Sequence, residues 1–528
     1  MHDAVVIGAG HNGLTCAFYL AKKGLDVLVV EAADTVGGAA VTDEFHEGFR
    51  NSAASYTVSL LQPRIIRDME LHRHGLEVVL RKLDNFLPTR GGDYLLAGRG
   101  GRTRAELVRH HKADGPAYDA YETELQGLVA LVRRWMLKAP PVAAKRVSGL
   151  GDWLRLARDV VGMDRAEVDA LAAFFLKSAG DVLDARFEGE LAKALFGFDG
   201  IVGHFASPYE PGTAYVLLHH LLGEANGVQG AWGHAIGGMG AITQAMARSV
   251  REAGGDIRLG VPVEQVIVEG GRACGVVVGG KAIRAKVVVS NANPRLLADQ
   301  LLPEGALPED AAAHYAGWAC ESATFRMNVA LKRLPSFTSL PGRGDHLTAG
   351  IIMAPSLDHM ARAHASAVLD GWSRDPVIEM LLPSTLDDTL APRHSHVASL
   401  FCQHFRYKLP GKRTWAEERE AAADQIIRTV DSYAPGFADS VIARQVHSPA
   451  DLESRFGLVG GDIFHGKMTL DQIFSARPRL GDQSYRMPLD GLYLCGSGAH
   501  PGGGVTGAPG HNAAKTILSD KRKWRNAA

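Results

Sequence analysis

Three glycines near the start of the chain have a spacing that lets a backbone approach an anion. Gly8, Gly10 and Gly13 follow the order G-x-G-x-x-G, between the apolar run Ala4–Ile7 and a segment with helical spacing. The first glycine permits a sharp turn, the second admits a pyrophosphate, and the third allows close helix–sheet packing. The amides and the positive dipole end of the following helix favour the same negative charge. The spacing predicts a dinucleotide-binding turn.

An acidic residue supports this prediction. Glu31 follows the second apolar run, Leu25–Val30, and a carboxylate there accepts hydrogen bonds from the adenosine ribose hydroxyls. It would repel a 2′-phosphate, and no arginine follows it directly, so the pattern disfavours NADP. The pair Gly37-Gly38 comes next and resembles a glycine pair that, in two-dinucleotide-binding flavoproteins, lets the chain pass close to the phosphate and ribityl portion of the cofactor. A simple turn is the alternative for this pair.

A second glycine-rich segment lies near the C-terminus. A strand candidate ends at Gly496, the run 497–507 is rich in glycine, and His511–Leu518 has helical spacing. Such an arrangement presents backbone amides to an anion or to the electron-rich edge of a flavin, where they would stabilise the reduced form. So many glycines in a solvent-facing turn would cost conformational entropy without compensation. The segment predicts the flavin end of a binding site.

These motifs need elements that bring them together. Leu14–Lys23 has helical spacing and is closed by Gly24, so with its two flanking strands it forms one βαβ-type half-unit of a parallel sheet. The stretch 104–223 is predicted to be mostly helical. Further predicted elements are the helices 117–138, 164–177 and 237–252, and the strands 256–259, 263–268, 275–278 and 287–289.

The fold class expected from this order is α/β. Because βα units occur at both ends and near the middle, we predict a Rossmann-like FAD-binding domain assembled from discontinuous segments, with an inserted mixed α+β substrate lobe. The domain comprises residues 1–70, 225–300 and 484–528. The lobe comprises residues 71–224 and 301–483.

Composition excludes several classes of protein. A formal net charge of −1 over 528 residues gives no overall attraction to nucleic acid, so no nucleic-acid partner is expected. There is no run of 18 apolar residues, which disfavours a membrane span. The first strand begins almost at Met1, which leaves no room for a cleavable leader, so we expect a cytoplasmic protein.

Cysteines and histidines give no metal or dithiol site. The five cysteines are scattered without a C-x-x-C pair, which supports neither a dithiol redox site nor a zinc ribbon. Three histidine pairs lack accompanying carboxylate or cysteine spacing, so core or surface histidines are favoured and no metal is expected. The pairs are His110/His111, His219/His220 and His394/His396.

A basic cluster surrounds the apolar triplet 135–137, with no acid among its members. A solvated helix face is favoured, and a peripheral contact with an anionic membrane stays open as the alternative. Assembly into a homo-oligomer also stays open. The cluster consists of Arg133, Arg134, Lys138, Lys145 and Arg146.

Taken together, the motifs resemble the phytoene desaturase-like flavoprotein superfamily over essentially the whole chain. Within it the chain looks closest to the group named pyridine nucleotide-disulfide oxidoreductase domain-containing protein 2, and carotenoid ketolases of the desaturase-like type are near relatives. The residues that carry the resemblance are Val5–Gly13, Glu31 with 37–40, 59–61 with Pro63, 237–239, Ser290–Asn293, 470–472 with Arg477-Pro478, and His500–Gly507.

The resemblance implies a non-covalently bound FAD and a second lobe that covers the flavin ring. By this resemblance Val263 contacts the adenine through its backbone, Gly496 and Pro501–Gly503 lie along the ribityl chain and isoalloxazine, and Ser55 and Tyr56 pass near the flavin. The predicted cofactor-binding residues are Gly8, Ala9, Gly10, Asn12, Gly13, Glu31, Ala32, Gly37, Gly38, Ala39, Ser55, Tyr56, Val263, Gly496, Pro501, Gly502, Gly503 and Val505.

Two features depart from the family pattern. Many desaturases carry an arginine directly after the glycine pair, whereas this chain has Ala39-Ala40. That weakens the transfer of a desaturase activity but not of FAD binding. The group's name also promises disulfide chemistry, which the cysteine spacing contradicts.

We therefore expect an FAD-dependent oxidoreductase that oxidises an apolar substrate, an unsaturated lipid or isoprenoid, by hydride transfer to the flavin. Desaturation also releases a proton, and the sequence identifies no acceptor for it, so no catalytic residue is named. One alternative is a flavin amine oxidase-like enzyme, which predicts an aromatic cage. Others are a non-catalytic lipid- or prenyl-binding or interaction protein on the same fold, and a flavoprotein whose main role is assembly with a partner.

Overall fold

Two seven-stranded sheets with helices packed around them form an α/β architecture. The computed structural model describes residues 1–141, 154, 157–158, 160–321 and 323–525. Within these residues, no helix is both long and apolar enough to cross a membrane.

The first sheet draws its strands from three separated parts of the chain. The strand His2–Ile7 lies at its centre and is parallel to both neighbours. Its central strands are runs of valine and isoleucine buried on both faces, as expected of a parallel sheet covered by helices. In spatial order the strands are Asp256–Arg258, Val27–Val30, His2–Ile7, Lys281–Ser290, Arg272–Val278 and Val263–Glu269, and Leu492–Leu494 also pairs with Lys281–Ser290.

The register of this sheet aligns four strand ends. Ile7 lies opposite Val30 on one side and Ser290 on the other, and Ser290 lies opposite Leu494. Because these strands are parallel, the residues that follow each of them start at the same edge. Ligands of open parallel sheets bind outside this carboxyl edge.

Three helices cover the first sheet, and the central one, His11–Ala21, packs against the other two, Gly240–Glu252 and Ala508–Ser519. It begins three residues earlier than predicted because Gly10, inside the glycine motif, is its N-cap. The last helix also begins three residues earlier than predicted, because Pro509 occupies its first turn, where the missing N–H costs nothing.

The second sheet belongs to the region after residue 84 and is mostly antiparallel. The helix Trp415–Tyr433 packs on it and shares its core. A capping box between Thr414 and Glu417 begins this helix. In spatial order the strands are Val441–His447, Phe325–Leu331, His396–Phe405, Trp372–Leu381, Gly350–Met353, Asn85–Pro88 and Tyr94–Ala97.

The described part of 104–223 is mostly helical, which confirms the prediction there. Its helices are Arg102–His110, Asp114–Met136, Arg165–Leu176, Ala179–Asp184, Glu190–Gly197 and Thr213–His220. Besides short 3-10 and π segments, the remaining described elements are the α-helices Pro63–Asp68, Pro294–Leu296, Glu309–Ala316, Leu357–Asp370, Phe437–Ser440, Pro449–Phe456 and Lys521–Arg525, and the strands Thr42–His46, Phe49–Ser52, Val78–Leu80, Glu224–Ala225, Val228–Gln229 and Gly233–Ala235.

The basic cluster is partly neutralised by the fold. Arg133 donates to Glu224 at 2.6 Å, an acid that lies far away in the sequence. Met136 of the adjoining triplet is buried. Lys145 and Arg146 lie outside the described residues. The domain boundaries stay a prediction.

Candidate functional site

A groove opens at the carboxyl edge of the first sheet. It is built from the residues that follow the aligned strand ends, together with the loop 456–465 of the second lobe. Its lining residues are Ile7, Gly8, Gly10, His11, Asn12, Glu31, Gly37, Gly38, Ala39, Asn291, Ala292, Asn293, Leu296, Phe456, Gly457, Leu458, His465 and Ser497.

Close approach explains two of the glycines in the first turn. A Cβ on Gly13 would lie 2.1 Å from the carbonyl oxygen of Gly8, so only glycine lets the helix pack against the turn. A Cβ on Gly10 would lie 2.7 Å from Nδ2 of Asn291. The floor of the groove is therefore bare backbone, as binding of a pyrophosphate requires.

The carboxylate of Glu31 ties two loops of the groove together. Its Oε2 accepts a hydrogen bond from the Ala9 amide at 2.6 Å, and its Oε1 accepts one from the Ala33 amide at 2.9 Å. A carboxylate oxygen has two lone pairs, so each can also accept a hydrogen bond from a ligand hydroxyl. Glu31 therefore sets the groove's shape and still offers acceptors to a ribose.

The C-terminal glycine segment is joined to the first turn through side chains. Ser497 Oγ accepts a hydrogen bond from Asn12 Nδ2 at 3.0 Å, across 485 positions of sequence. A Cβ on Gly496 would lie 2.6 Å from the carbonyl oxygen of Asn291, and one on Gly503 would lie 2.4 Å from Phe464. These close approaches seat the loop between the first sheet and the second lobe.

A buried guanidinium holds the loops in place. Arg477 has no solvent exposure. It donates to the carbonyl oxygens of Ser497 at 2.8 Å, Phe464 at 2.6 Å, Gln472 at 3.0 Å and Gly466 at 3.3 Å. In the described residues no carboxylate forms an ion pair with it within 4 Å. Burial lowers its pKa to about 10, so it stays charged at neutral pH.

A second, largely apolar cavity continues from the groove. Five residues line both spaces, namely His11, Ala39, Leu458, His465 and Ser497. The rest of the cavity lining is Ala40, Ala54, Ser55, Tyr56, Thr57, Val58, Ser59, Leu60, Leu61, Val202, His220, Trp232, Met239, Ile242, Phe401, Ile463, Phe464, Gly504 and Val505. A ligand lying in the groove would therefore reach an apolar chamber.

Comparison with known families decides the class of this site. The family described as flavin containing amine oxidoreductase matches residues 13–324, more than half of the 528 residues. The chain belongs to this family.

Relatives over the whole chain agree with it. Pyridine nucleotide-disulfide oxidoreductase domain-containing protein 2 of Rattus norvegicus is 40% identical, over 98% of this chain and 94% of that protein. One of the limonene dehydrogenase subunits of Castellaniella defragrans is 25% identical, over 98% and 94%. A neurosporene-forming phytoene desaturase of Cereibacter sphaeroides is 25% identical, over 96% and 92%. The resemblance to phytoene desaturase-like flavoproteins is confirmed, with the desaturases as more distant relatives.

A solved structure shows the same fold. Cyclohexylamine oxidase from Brevibacterium oxydans superposes with a TM-score of 0.58 over 99% of both chains, at 18% identity. Family, relatives and fold together identify this flavoprotein as an FAD-dependent oxidoreductase.

The residues present fit FAD. Four buried polar atoms that line the groove or the cavity lack a hydrogen-bond partner among the described residues: His11 Nε2, Asn12 Oδ1, Ser59 Oγ and His465 Nδ1. A buried polar atom without a partner costs about 1–3 kcal/mol, so such a set indicates a polar ligand. Together with the glycine cradle and Glu31, these atoms suit a dinucleotide whose ring reaches the cavity.

Glu31→Gln is expected to weaken FAD binding at least tenfold. The change removes the charge from two backbone hydrogen bonds and from the ribose contact, and charge-assisted hydrogen bonds are about twice as strong as neutral ones. The dissociation constant is measured by fluorescence titration of the apoprotein with FAD. The matched control is the exposed neighbour Asp34→Asn, which makes the same charge change. Equal affinities for the two variants would contradict the prediction.

The cavity's tyrosine turns its hydroxyl away from the chamber. Tyr56 donates to Glu379, and the Arg326 guanidinium lies 4.6 Å from the centre of the Tyr56 ring. Burial and the Glu379 carboxylate hold the Tyr56 pKa well above its usual value, so the hydroxyl stays protonated. Its ring stacks on Phe401 at 5.1 Å. Tyr56 therefore contributes an aromatic surface rather than an acid or a base.

Four histidines around the site are neutral at physiological pH. Burial lowers the pKa of His11 and His220 to about 4, and that of His219 and His465 to about 3. The three of them that line the groove or the cavity, His11, His220 and His465, therefore bring no imidazolium charge to its wall.

These histidines predict acid instability. Their folded-state pKa values lie below the unfolded value of 6.5, so the unfolded chain binds more protons and stability falls as pH drops from about 6.5 to about 4. His219→Leu should reduce the slope of the free energy of unfolding against pH by up to about 1.4 kcal/mol per pH unit. Urea unfolding at pH 4.5 to 7.5 measures it. The exposed His46→Leu is the control, and an unchanged slope in His219→Leu would refute the idea.

The predicted cofactor-binding residues fall into three groups, and their cofactor contacts stay predictions. Lining the groove are Gly8, Gly10, Asn12, Glu31, Gly37, Gly38 and Ala39, of which Ala39 also lines the cavity, where Ser55, Tyr56 and Val505 lie. Lining neither space are Ala9, Gly13, Ala32, Val263, Gly496, Pro501, Gly502 and Gly503. Most residues of this third group are chain neighbours of lining residues, and their backbone supports the lining.

The sequence-based set omits several site residues. Asn291 lies two residues after the predicted strand 287–289 and among the residues that carry the family resemblance, so the alignment of parallel strand ends could have found it. His11 stands inside the glycine motif, at a position that the motif leaves unspecified. Arg477 also carries the family resemblance, together with Pro478, but the sequence gives it no role in the site, and nothing in the local pattern marks His465.

Spacing arguments also missed a contact between two cysteines. All five cysteines are free, but the Cys495 thiol hydrogen-bonds with Cys16, which is distant in sequence. Both are fully buried. Burial holds the Cys495 pKa well above its usual value, so its reactive thiolate form is suppressed.

Proposed function

We propose that this flavoprotein oxidises an apolar substrate, an unsaturated lipid or isoprenoid, by hydride transfer to FAD. The observation that carries the proposal is the lining of the cavity: among the described residues, no Asp, Glu, Lys or Arg lines it. Burying a charged substrate there would leave its charge unpaired, at a cost of several kcal/mol. A hydrocarbon chain loses nothing on entering and gains about 0.8 kcal/mol per buried CH₂ group.

Amine oxidation is the rival within the family, and the aromatic residues allow a comparison. An ammonium group is held best against the faces of aromatic rings. Tyr56 and Phe401 line the cavity but stack on each other at an interplanar angle of 23°, so each ring covers one face of the other. The Arg326 guanidinium already lies over the Tyr56 ring. This arrangement favours an apolar substrate over a cationic one.

The names of two relatives point the same way. A limonene dehydrogenase component and a phytoene desaturase, both matched over nearly the whole chain, carry names that refer to unsaturated terpenoid hydrocarbons. The FAD supplies the hydride acceptor. The chain's own residues bind the dinucleotide through the groove, orient the apolar chain in the cavity and exclude water from it.

The first test is anaerobic bleaching of the flavin absorbance. Purified protein, reconstituted with FAD and desalted, is mixed with squalene in detergent micelles, with limonene, or with cyclohexylamine and putrescine. Bleaching by an apolar hydrocarbon and not by the amines is the expected result. Bleaching by an amine alone would overturn the proposal in favour of amine oxidation.

A charge placed in the cavity sharpens this test. Ile463→Asp adds a carboxylate to the apolar lining, and it should abolish bleaching by the hydrocarbon while FAD stays bound. Ile442→Asp makes the same change at an exposed position and should leave bleaching unchanged. Equal bleaching rates in the two variants would show that the cavity is not the substrate site.

The same proposal extends to location and partners. The protein acts in the cytoplasm on a small apolar molecule, with a homo-oligomer and a peripheral membrane contact through the exposed Arg134 and Lys138 as the alternatives to a monomer with a solvated helix face. Sedimentation velocity tests the oligomer. Flotation with phosphatidylserine vesicles tests the contact, and the doubly substituted R134S/K138S protein should float less.

A further inference from the structure

We infer that His465 takes up the proton that leaves the substrate when it is oxidised. The inference rests on the proposed function, because a desaturation releases a proton that some group must accept. His465 lines the groove and the cavity alike, so its ring lies where cofactor and substrate meet. Its Nδ1 is buried and has no hydrogen-bond partner among the described residues. A proton acceptor needs a ring nitrogen that no other group already occupies.

The backbone around His465 is held from three sides. Its carbonyl oxygen accepts from Trp318 Nε1 at 2.9 Å. The carbonyl oxygens before and after it, of Phe464 and Gly466, accept from the two terminal nitrogens of Arg477. His465 itself has φ of +59°, a left-handed conformation that is uncommon outside glycine. Such a conformation persists only where its surroundings enforce it, and it is typical of functional sites.

The charges that face His465 keep its ring neutral before the reaction. Burial lowers its pKa to about 3, and repulsion from the charged Arg477 guanidinium adds to that effect. Reduction of FAD brings negative charge into the site, which opposes both effects and raises the pKa. The titratable groups around this loop include His11 on the first helix, His219 and His220 on the helix Thr213–His220, Arg477, Glu321, and Asp462 and Lys467 of its own loop.

The step balances without another reagent. One substrate C–H bond breaks and its hydrogen leaves with both electrons as a hydride to FAD. The neighbouring C–H bond gives its proton to the free ring nitrogen of His465, and its electron pair becomes the new C=C bond. FAD is reduced, the substrate is oxidised, and His465 becomes an imidazolium.

The other two cavity histidines are less suited to carry a proton. His11 is the first residue of its helix, where the positive end of the helix dipole disfavours a cation. Its ring also approaches the backbone of Gly504. His220 Nδ1 is 2.8 Å from the Val216 carbonyl oxygen of its own helix. His465 is therefore the best placed acceptor of the three.

The test needs no substrate. The midpoint potential of bound FAD is measured between pH 6.5 and 8.5 with redox mediators, in the wild type and in His465→Asn. Asparagine tolerates the left-handed conformation but takes up no proton. Each proton bound per two electrons shifts the potential by about 30 mV per pH unit. The midpoint potential of the wild type should therefore fall more steeply with rising pH than that of His465→Asn. The expected difference is about 30 mV per pH unit, which corresponds to one additional bound proton.

Controls separate His465 from general effects. His346→Asn removes another buried histidine with an unpartnered nitrogen, which lines neither the groove nor the cavity, and should keep the wild-type slope. His465→Gly supplies a second variant if the asparagine protein loses FAD. The inference would be overturned if the midpoint potential had the same slope against pH in the wild type and in the His465 variants. It would also be overturned if the slope were flattened in His11→Asn but unchanged in His465→Asn. Because no substrate is present, a failed bleaching test would refute the apolar substrate and leave this result intact.

Discussion

Gly13→Ala is expected to abolish FAD binding and to destabilise the fold by about 3 kcal/mol or more. The added Cβ would lie 2.1 Å from the carbonyl oxygen of Gly8 and 3.3 Å from Cβ of Asn291. The first of these is backbone in a tight turn, so the helix must move away from the sheet, and overpacking of this kind typically costs about 1–3 kcal/mol or more. That movement also misplaces the amides that face the pyrophosphate. Flavin absorbance per protein after desalting and urea unfolding measure the two effects.

A second glycine gives the matched control. Gly127 lies within the helix Asp114–Met136, and apart from Gly127 itself, its two chain neighbours and the adjacent backbone of its own helix, no atom of the described residues lies within 4 Å of the position a Cβ would take. Gly127→Ala should keep FAD and stabilise the protein by up to about 1 kcal/mol, because alanine is the better helix former. If Gly13→Ala retained FAD with wild-type stability, close packing at the turn would not be what Gly13 provides.

Arg477→Met is expected to have the second large effect. The side chain keeps its length, but four carbonyl oxygens lose their donor in a region without solvent. An unsatisfied buried acceptor costs about 1–3 kcal/mol, and the loops that contain Phe464 and Ser497 lose their link. We expect a loss of at least about 3 kcal/mol in the free energy of unfolding and loss of FAD on desalting.

Two variants show whether the several N–H donors of the Arg477 guanidinium hold the loops, or whether its positive charge is enough. Arg477→Lys keeps the charge but cannot reach four carbonyl oxygens at once, so it should also release FAD. Arg428→Met removes an exposed arginine that bonds only to Gln425 among the described residues, and should be nearly neutral. Retention of FAD by Arg477→Met would show that the loops are held by other contacts.

Much of the cofactor half of the site was predictable. The glycine spacing at residues 8–13, the acid at Glu31 and the run 497–507 are local patterns, because a tight turn, a strand end and a helix start each constrain residues close in sequence. Most strands and helices around them were also predicted to within about three residues, since their valine runs and helical spacing are regular. The strand Lys281–Ser290 is the exception, because it begins six residues before the predicted 287–289. Family membership followed from the same motifs and is confirmed.

Only the tertiary structure revealed the cavity that we propose for the substrate. The cavity lining comes from positions as far apart as His11 and Val505, and no local pattern tells which faces of those segments meet. His465 and Arg477 became site residues because Arg477 binds carbonyl groups on either side of His465 and at Ser497. Backbone turns are encoded by neighbouring residues, whereas the charge and exposure of a cavity are set by distant segments that pack together.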